Sequence, residues 1–235
     1  MGRLFLYQRW LAEALNAFAA SIEQPTLRGR PILLSPRQYG AALMQAYFGR
    51  TSLAWIAEVI ALPVETLKDW RREPGFLLVM DGSKAQFVEF FKETLLSTDF
   101  SWNGYVDLAG EFFLWEDSLR VRLRMALYEI FRPLGEKLGS LHRHGLGLET
   151  YDLNLFRRLF LFFLALEQHW PSAAGKRLRQ EFIPLARDAV WPALGPAPWP
   201  EEILTADQER LSLPSLRQDL EAGLQEIFAG LSRLH

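Results

Sequence analysis

The chain contains no cysteine among its 235 residues. Without cysteine it cannot form a disulfide bond, supply a thiolate nucleophile or build a cysteine-ligated zinc site. The absence also fits a protein of a reducing compartment. Composition alone therefore excludes these three kinds of chemistry.

Long apolar runs are also missing. The most apolar run, Leu159 to Leu166, is far too short to cross a bilayer. The N-terminal segment carries Arg9 and Glu13 where a signal peptide would have its apolar core, and it lacks a small-residue cleavage site. We therefore predict a cytoplasmic protein with no membrane partner.

Histidine is scarce, with four in the chain, and no metal or catalytic motif contains it. His142 and His144 lack cysteine or carboxylate partners at ligand spacing, which favours a solvated turn. The glycine-rich segment Gly139 to Gly147 has no phosphate-loop lysine, so it does not predict a nucleotide site. Three acidic residues are expected at the surface: Glu111, Glu116 and Asp117. The sequence thus predicts no enzyme, no metal and no cofactor.

Apolar residues make up 49% of the chain and aromatic residues 13%, which is enough for a substantial core. Apolar positions three and four apart predict an all-α fold. Helices are expected near residues 3–24, 36–48, 84–96, 105–115, 117–141 with a kink at Pro133, 152–170, 172–191 and 214–234. Leu77 to Asp81 is predicted to be extended, with a turn at Asp81-Gly82-Ser83 and a long loop from Leu194 to Leu213.

The helix predicted near residues 152–170 is apolar nearly all round after Arg158. Such a helix must be enclosed on most sides. It is either the central element of the second half of the chain or a subunit interface.

Positive charge is concentrated before Phe76. No acidic residue lies between Glu23 and Glu58, whereas this stretch contains four arginines: Arg28, Arg30, Arg37 and Arg50. A local basic stretch of this kind is compatible with a phosphate-facing surface even though the net charge is only -2. Ordinary solvated arginines are the alternative interpretation.

The segment Thr51 to Phe76 has spacing that suggests more than core packing. One helix is predicted from the apolar positions Leu53, Ile56, Ala57 and Ile60. Pro63 cannot continue this helix but suits the start of a second one, whose buried edge is predicted to hold Leu67 and Trp70. The sequence predicts two short helices joined by a tight turn. A corner of this shape also occurs as plain packing in helical proteins.

These residues resemble the helix-turn-helix superfamily, most closely the variants of transposases and phage terminase small subunits that end in Trp-Arg-Arg/Lys. Ile56-Ala57 is similar to the family's aliphatic-alanine pair. The resemblance implies that Val64 to Arg72 is the recognition helix in a DNA major groove. The family usually has glycine in the turn, where this chain has Ala61. An alanine in the left-handed conformation would be strained by about 1–2 kcal/mol.

Two functions follow as hypotheses, and a helical small-molecule-binding or enzymatic domain is a third for which no polar group is visibly placed. The first is a DNA-binding transcriptional regulator with a helix-turn-helix domain over residues 1–100 and a helical bundle over 101–235 that forms a homodimer or binds a regulator. This plan is similar to the tetracycline-repressor class in architecture only. The residues expected to contact DNA are Thr66, Lys68, Arg71, Arg72, Arg37 and Arg50.

The second hypothesis is an all-helical protein-protein interaction module with no DNA contact. Aromatic residues are enriched in protein interfaces, and this chain has several tryptophans in or beside its predicted loops. They are Trp102, Trp115, Trp191 and Trp199.

Overall fold

A computed structural model describes residues 5–23, 34–49, 53–169, 172–195 and 213–231. These residues are helical with short connections and contain no strand, which confirms the predicted all-α fold. The elements are α1 (Leu6–Glu23), α2 (Pro36–Phe48), α3 (Leu53–Val59), α4 (Val64–Trp70), α5 (Pro74–Ser97), α6 (Trp102–Phe112), α7 (Asp117–Arg143), α8 (Thr150–His169), α9 (Ala173–Leu185), a π-helical turn (Ala186–Val190), α10 (Trp191–Leu194) and α11 (Leu213–Leu231). Within the described ranges, no helix is both long and apolar enough to cross a membrane.

The chain forms two compact units. Unit 1 comprises Met1–Phe91, Phe113–Arg120 and Ser212–His235, and unit 2 comprises Lys92–Phe112 and Val121–Leu211. The sequence-based division at residue 100 follows the order of the chain, whereas each of these units is assembled from separate stretches of it.

Unit 1 is built around aromatic side chains. Tyr47 and Phe87 have ring centroids 5.1 Å apart, and Trp115 packs edge-on against Phe87 at 4.8 Å. Tyr7 of α1 lies over Tyr47 at 3.8 Å. α11 packs on α1, α2 and α3. The C-terminal helix therefore completes the core of the N-terminal helices.

A capping box sets the start of α2. The Ser35 hydroxyl accepts a hydrogen bond from the Gln38 backbone N–H at 3.2 Å, and the Gln38 side chain accepts one from the Ser35 N–H at 2.9 Å. This reciprocal pair satisfies two donors that the first helical turn leaves free. The helix begins at Pro36 and ends at Phe48, as predicted.

Unit 2 is organised around α8, which packs on α6, α9 and α10. Its buried side chains include Phe156, Phe160 and Phe162. Phe156 stacks on Phe131 of α7 with ring centroids 4.9 Å apart. Of the two roles predicted for this helix, the central element of the second half is confirmed.

The extended segment and turn predicted between Leu77 and Ser83 are wrong, because α5 is one continuous helix. Its turn-forming residues are accommodated within the helix. The Ser83 hydroxyl donates to the Met80 carbonyl at 2.9 Å, and Gly82 faces open space. Burial of Phe76 and Phe87 on the same helix outweighs the local turn preference.

The acidic residues expected at the surface divide into three environments. Asp117 is exposed as predicted, with 87% of its side chain accessible. Glu116 is partly buried and paired with Lys84. The prediction is wrong for Glu111, which is only 1% exposed in α6, because this helix is covered by α8.

Two further predictions concern the second half of the chain. α7 runs through Pro133 without ending, and Pro133 itself is exposed. The loop predicted from Leu194 to Leu213 falls mainly on residues 196–212, which lie outside the described residues.

Candidate nucleic-acid interface

The α3-turn-α4 corner has the two short helices that Pro63 predicted. Ile56, Ala57 and Ile60 are buried, as is Leu67 on α4. Trp70, which was expected to share this buried edge, is only partly buried. The corner therefore packs within unit 1 through its aliphatic positions and leaves Glu65, Lys68 and Asp69 of α4 exposed.

The turn after α3 has the hydrogen bonds of a Schellman motif. The Leu62 N–H donates to the Ala57 carbonyl at 2.9 Å, and the Ala61 N–H donates to the Glu58 carbonyl at 3.1 Å. Ala61 has φ +51°, so it adopts the left-handed conformation that usually selects glycine. The end of α7 has the same pair of bonds, with Gly145 at the equivalent position.

Arg37 of α2 holds this turn in place. Its Nη2 donates to the carbonyls of Ile60 and Ala61, the second at 3.1 Å. These carbonyls lie at the end of α3, where the helix itself provides no N–H donor for them. Arg37, predicted to hold the DNA backbone, is thus engaged in positioning the corner.

The outer face of α4 carries two exposed ion pairs. Lys68 Nζ lies 2.7 Å from Glu65, and Arg72 Nη1 lies 3.0 Å from Asp69. The Lys68 and Arg72 side chains are 47% and 80% exposed. The two cations are therefore accessible, but each is locally neutralised by an acid one turn away.

The other predicted contacts are less exposed or lie outside the described residues. Thr66 is partly buried on α4. Arg71 follows the helix, and its buried Nε has no hydrogen-bond partner among the described residues. Arg50 lies outside the described residues. The structure thus brings Thr66, Lys68, Arg71 and Arg72 together on α4 and its C-terminal end.

The relation of α11 to this corner was missed from the sequence. Trp55 of α3 donates its indole N–H to the Glu221 carboxylate at 2.8 Å, and the Arg217 guanidinium lies 5.0 Å above the Trp55 ring. The apolar period of the last helix predicted that it has a buried face, but not the surface that covers it. α11 therefore supports α3 and leaves the outer face of α4 open.

Ala61→Gly is expected to raise the free energy of unfolding by up to about 1 kcal/mol, because it removes left-handed strain but adds flexibility to the unfolded chain. Chemical denaturation measures the change. The matched control is Ala54→Gly at an exposed position within α3. This substitution should lower the free energy of unfolding by about 1 kcal/mol. Equal losses at both positions would contradict the assigned turn.

No protein-family model, no curated protein and no solved structure matches this chain.

Proposed function

We propose that this chain is a DNA-binding regulator that uses α3, the Schellman turn and α4 as a helix-turn-helix. The observation that supports it most directly is the orientation of α4. Its buried residue, Leu67, faces the unit 1 core, while Lys68 and Arg72 face solvent. A recognition helix needs this arrangement, because one face must pack while the other enters a groove.

The ion pairs on α4 do not oppose this role strongly. Exposed ion pairs contribute only about 0–1 kcal/mol, so Lys68 and Arg72 can exchange a carboxylate for a DNA phosphate at little cost. Thr66 and Glu65 lie in the first turn of α4, where recognition helices contact base edges. A glutamate there can accept a hydrogen bond from the cytosine amino group.

The remaining predicted residues take supporting roles in this proposal. Arg37 positions the corner through the α3 carbonyls, and Arg71 contacts the DNA backbone beside Arg72. Arg50 keeps its predicted role as a phosphate contact. The protein would work in the cytoplasm, where it has access to DNA.

Lys68→Ala combined with Arg72→Ala is expected to weaken binding to a mixed-sequence duplex at least tenfold at low salt. Losing two phosphate contacts should also reduce the slope of log K against log salt by about 2. Fluorescence anisotropy across a salt series measures both quantities. The matched control is Arg122→Ala with Arg124→Ala, which removes the same charge from exposed positions on α7.

Two outcomes would contradict DNA binding through α4. One is no binding of the unaltered chain at low salt. The other is an equal loss of affinity in the double variants of α4 and α7, which would show that DNA binding depends on overall charge and not on α4.

A protein-protein interaction module is the second candidate. Leu77 and Leu78 directly follow the corner on α5 and are 38% and 63% exposed. The tryptophans give it less support, because Trp115 and Trp191 are buried. Absence of DNA binding at low salt would favour this candidate.

Homodimerisation through the C-terminal helices remains part of the regulator proposal, since helix-turn-helix dimers commonly bind two half-sites. Val121 and Met125 lie four residues apart on α7 and are 51% and 60% exposed. Sedimentation velocity of the intact chain distinguishes a dimer from a monomer.

A further inference from the structure

A groove in unit 2 lies between α7 and α9 and encloses about 300 Å³. Its inner surface is aromatic and aliphatic, with Phe131 and Phe182 in edge-to-face contact at 5.1 Å and Leu178 beside them. Gly135 permits this close approach, because a Cβ atom at that position would overlap the Phe182 ring. The groove therefore offers an apolar surface between two helices.

Two arginines stand at the edge of this apolar surface. Arg177 of α9 is exposed and forms no hydrogen bond or ion pair with any other residue the structure describes. Glu181, also at the groove, follows it by four residues, yet the two side chains do not pair. Arg132 of α7 uses its Nε to bind Glu136 at 3.1 Å, which leaves its terminal amino groups available within the described part of the chain.

The size and charge of the groove limit what fits it. Its volume is at the small end of the range for small-molecule sites, which suits a molecule of one or two rings. A guanidinium binds carboxylates with a planar pair of donors. Arg132 and Arg177 outnumber Glu181 among the charged groups lining the groove, so an anionic end is favoured over a cationic one.

We infer that this groove is a binding site for a small aromatic monocarboxylate. The ring lies against Phe131 and Phe182, and the carboxylate binds Arg177, with Arg132 as a second donor. Tyr128 closes one side of the groove, where its ring packs on Phe163 at 5.1 Å. The site lies within unit 2 and does not depend on DNA binding by α4.

The test uses 1-naphthoate and its uncharged analogue 1-naphthalenemethanol, titrated into the full chain by calorimetry without DNA. Naphthoate is expected to bind about tenfold more tightly than the alcohol, since a charge-assisted hydrogen bond contributes about that factor. Arg177→Ala should remove most of this preference and leave the affinity for the alcohol unchanged. Arg122→Ala, an exposed arginine of α7 outside the groove, should change neither affinity.

Arg132→Ala together with Arg177→Ala should abolish the preference for the acid. Circular dichroism of each variant checks that the helices are retained. The inference is overturned if naphthoate shows no saturable binding at millimolar concentration or if the acid and the alcohol bind equally well. It is also overturned if Arg122→Ala weakens naphthoate binding as much as Arg177→Ala does.

Discussion

Phe228→Ala is expected to lower the free energy of unfolding of unit 1 by about 3–5 kcal/mol, the usual cost of removing a fully buried phenylalanine ring. Phe228 is 2% exposed. It lies on α11 against α2, where a Cβ atom added to Gly40 would come within 3.0 Å of the ring. The missing ring leaves a cavity that neighbouring helices cannot fill completely.

Denaturant titration followed by tryptophan fluorescence measures this loss, since Trp10, Trp55 and Trp115 belong to unit 1. Glu226→Ala is the control on the same helix. Glu226 is exposed, so its replacement should change stability by no more than about 0.5 kcal/mol. Similar effects at Phe228 and Glu226 would show that α11 does not complete the unit 1 core.

Gly49→Ala is expected to lower the free energy of unfolding by about 2–4 kcal/mol, because two effects add. Gly49 has φ +74° and ψ -173°, a region that is almost restricted to glycine and costs other residues about 1–3 kcal/mol. A Cβ atom at this position would also overlap the Glu116 side chain. The Glu116 N–H donates to the Tyr47 carbonyl at 2.6 Å, so the backbone there is held in place.

Because the new Cβ atom displaces Glu116, part of the stability lost in Gly49→Ala should depend on pH. Burial alone would raise the pKa of Glu116, but hydrogen bonds from Lys84 and Ser118 outweigh it and lower the pKa below its ordinary value. A carboxyl group with a lowered pKa stabilises the fold above its ordinary pKa of 4.5, and this stabilisation is lost as the pH falls through the folded-state value. The difference between Gly49→Ala and the unaltered chain should therefore narrow at acidic pH, while the backbone contribution remains.

Gly82→Ala is the matched control for this substitution. Gly82 lies within α5 with nothing near its missing Cβ atom, so alanine should stabilise the helix by about 0.5–1 kcal/mol. Unfolding free energies at neutral and acidic pH measure both variants. A similar loss of stability in Gly82→Ala and Gly49→Ala would contradict the explanation from positive φ and overlap with Glu116.

Local signals predicted the helices well where the responsible atoms are close in sequence. Ser35 and Gln38 cap α2 within one turn, and Pro63 lacks the N–H that a continuing helix would need. The same reasoning failed at Gly82 and Ser83. These residues favour a turn locally, but burial of Phe76 and Phe87 elsewhere on α5 keeps them in the helix.

The sequence predicted only part of the candidate site. The spacing around Pro63 predicted the corner, and the charges of α4 were visible in the sequence. The bonds from Arg37 to the α3 carbonyls join residues more than twenty positions apart, so no periodic pattern indicates them. The bond between Trp55 and Glu221 of α11 joins residues 166 positions apart and was likewise not predicted.

By itself, the sequence determined the all-α class, the start of α2 and the pair of short helices around Pro63, since these depend on capping, ring geometry and apolar period over a few residues. Only the tertiary structure decided that α11 completes unit 1, that Ala61 and Gly49 adopt positive φ, and that the outer face of α4 stays open. The placement of α11 and the open face of α4 depend on contacts between distant segments, and the turn at Ala61 is also held by bonds from Arg37, so no periodic pattern in the sequence indicates them.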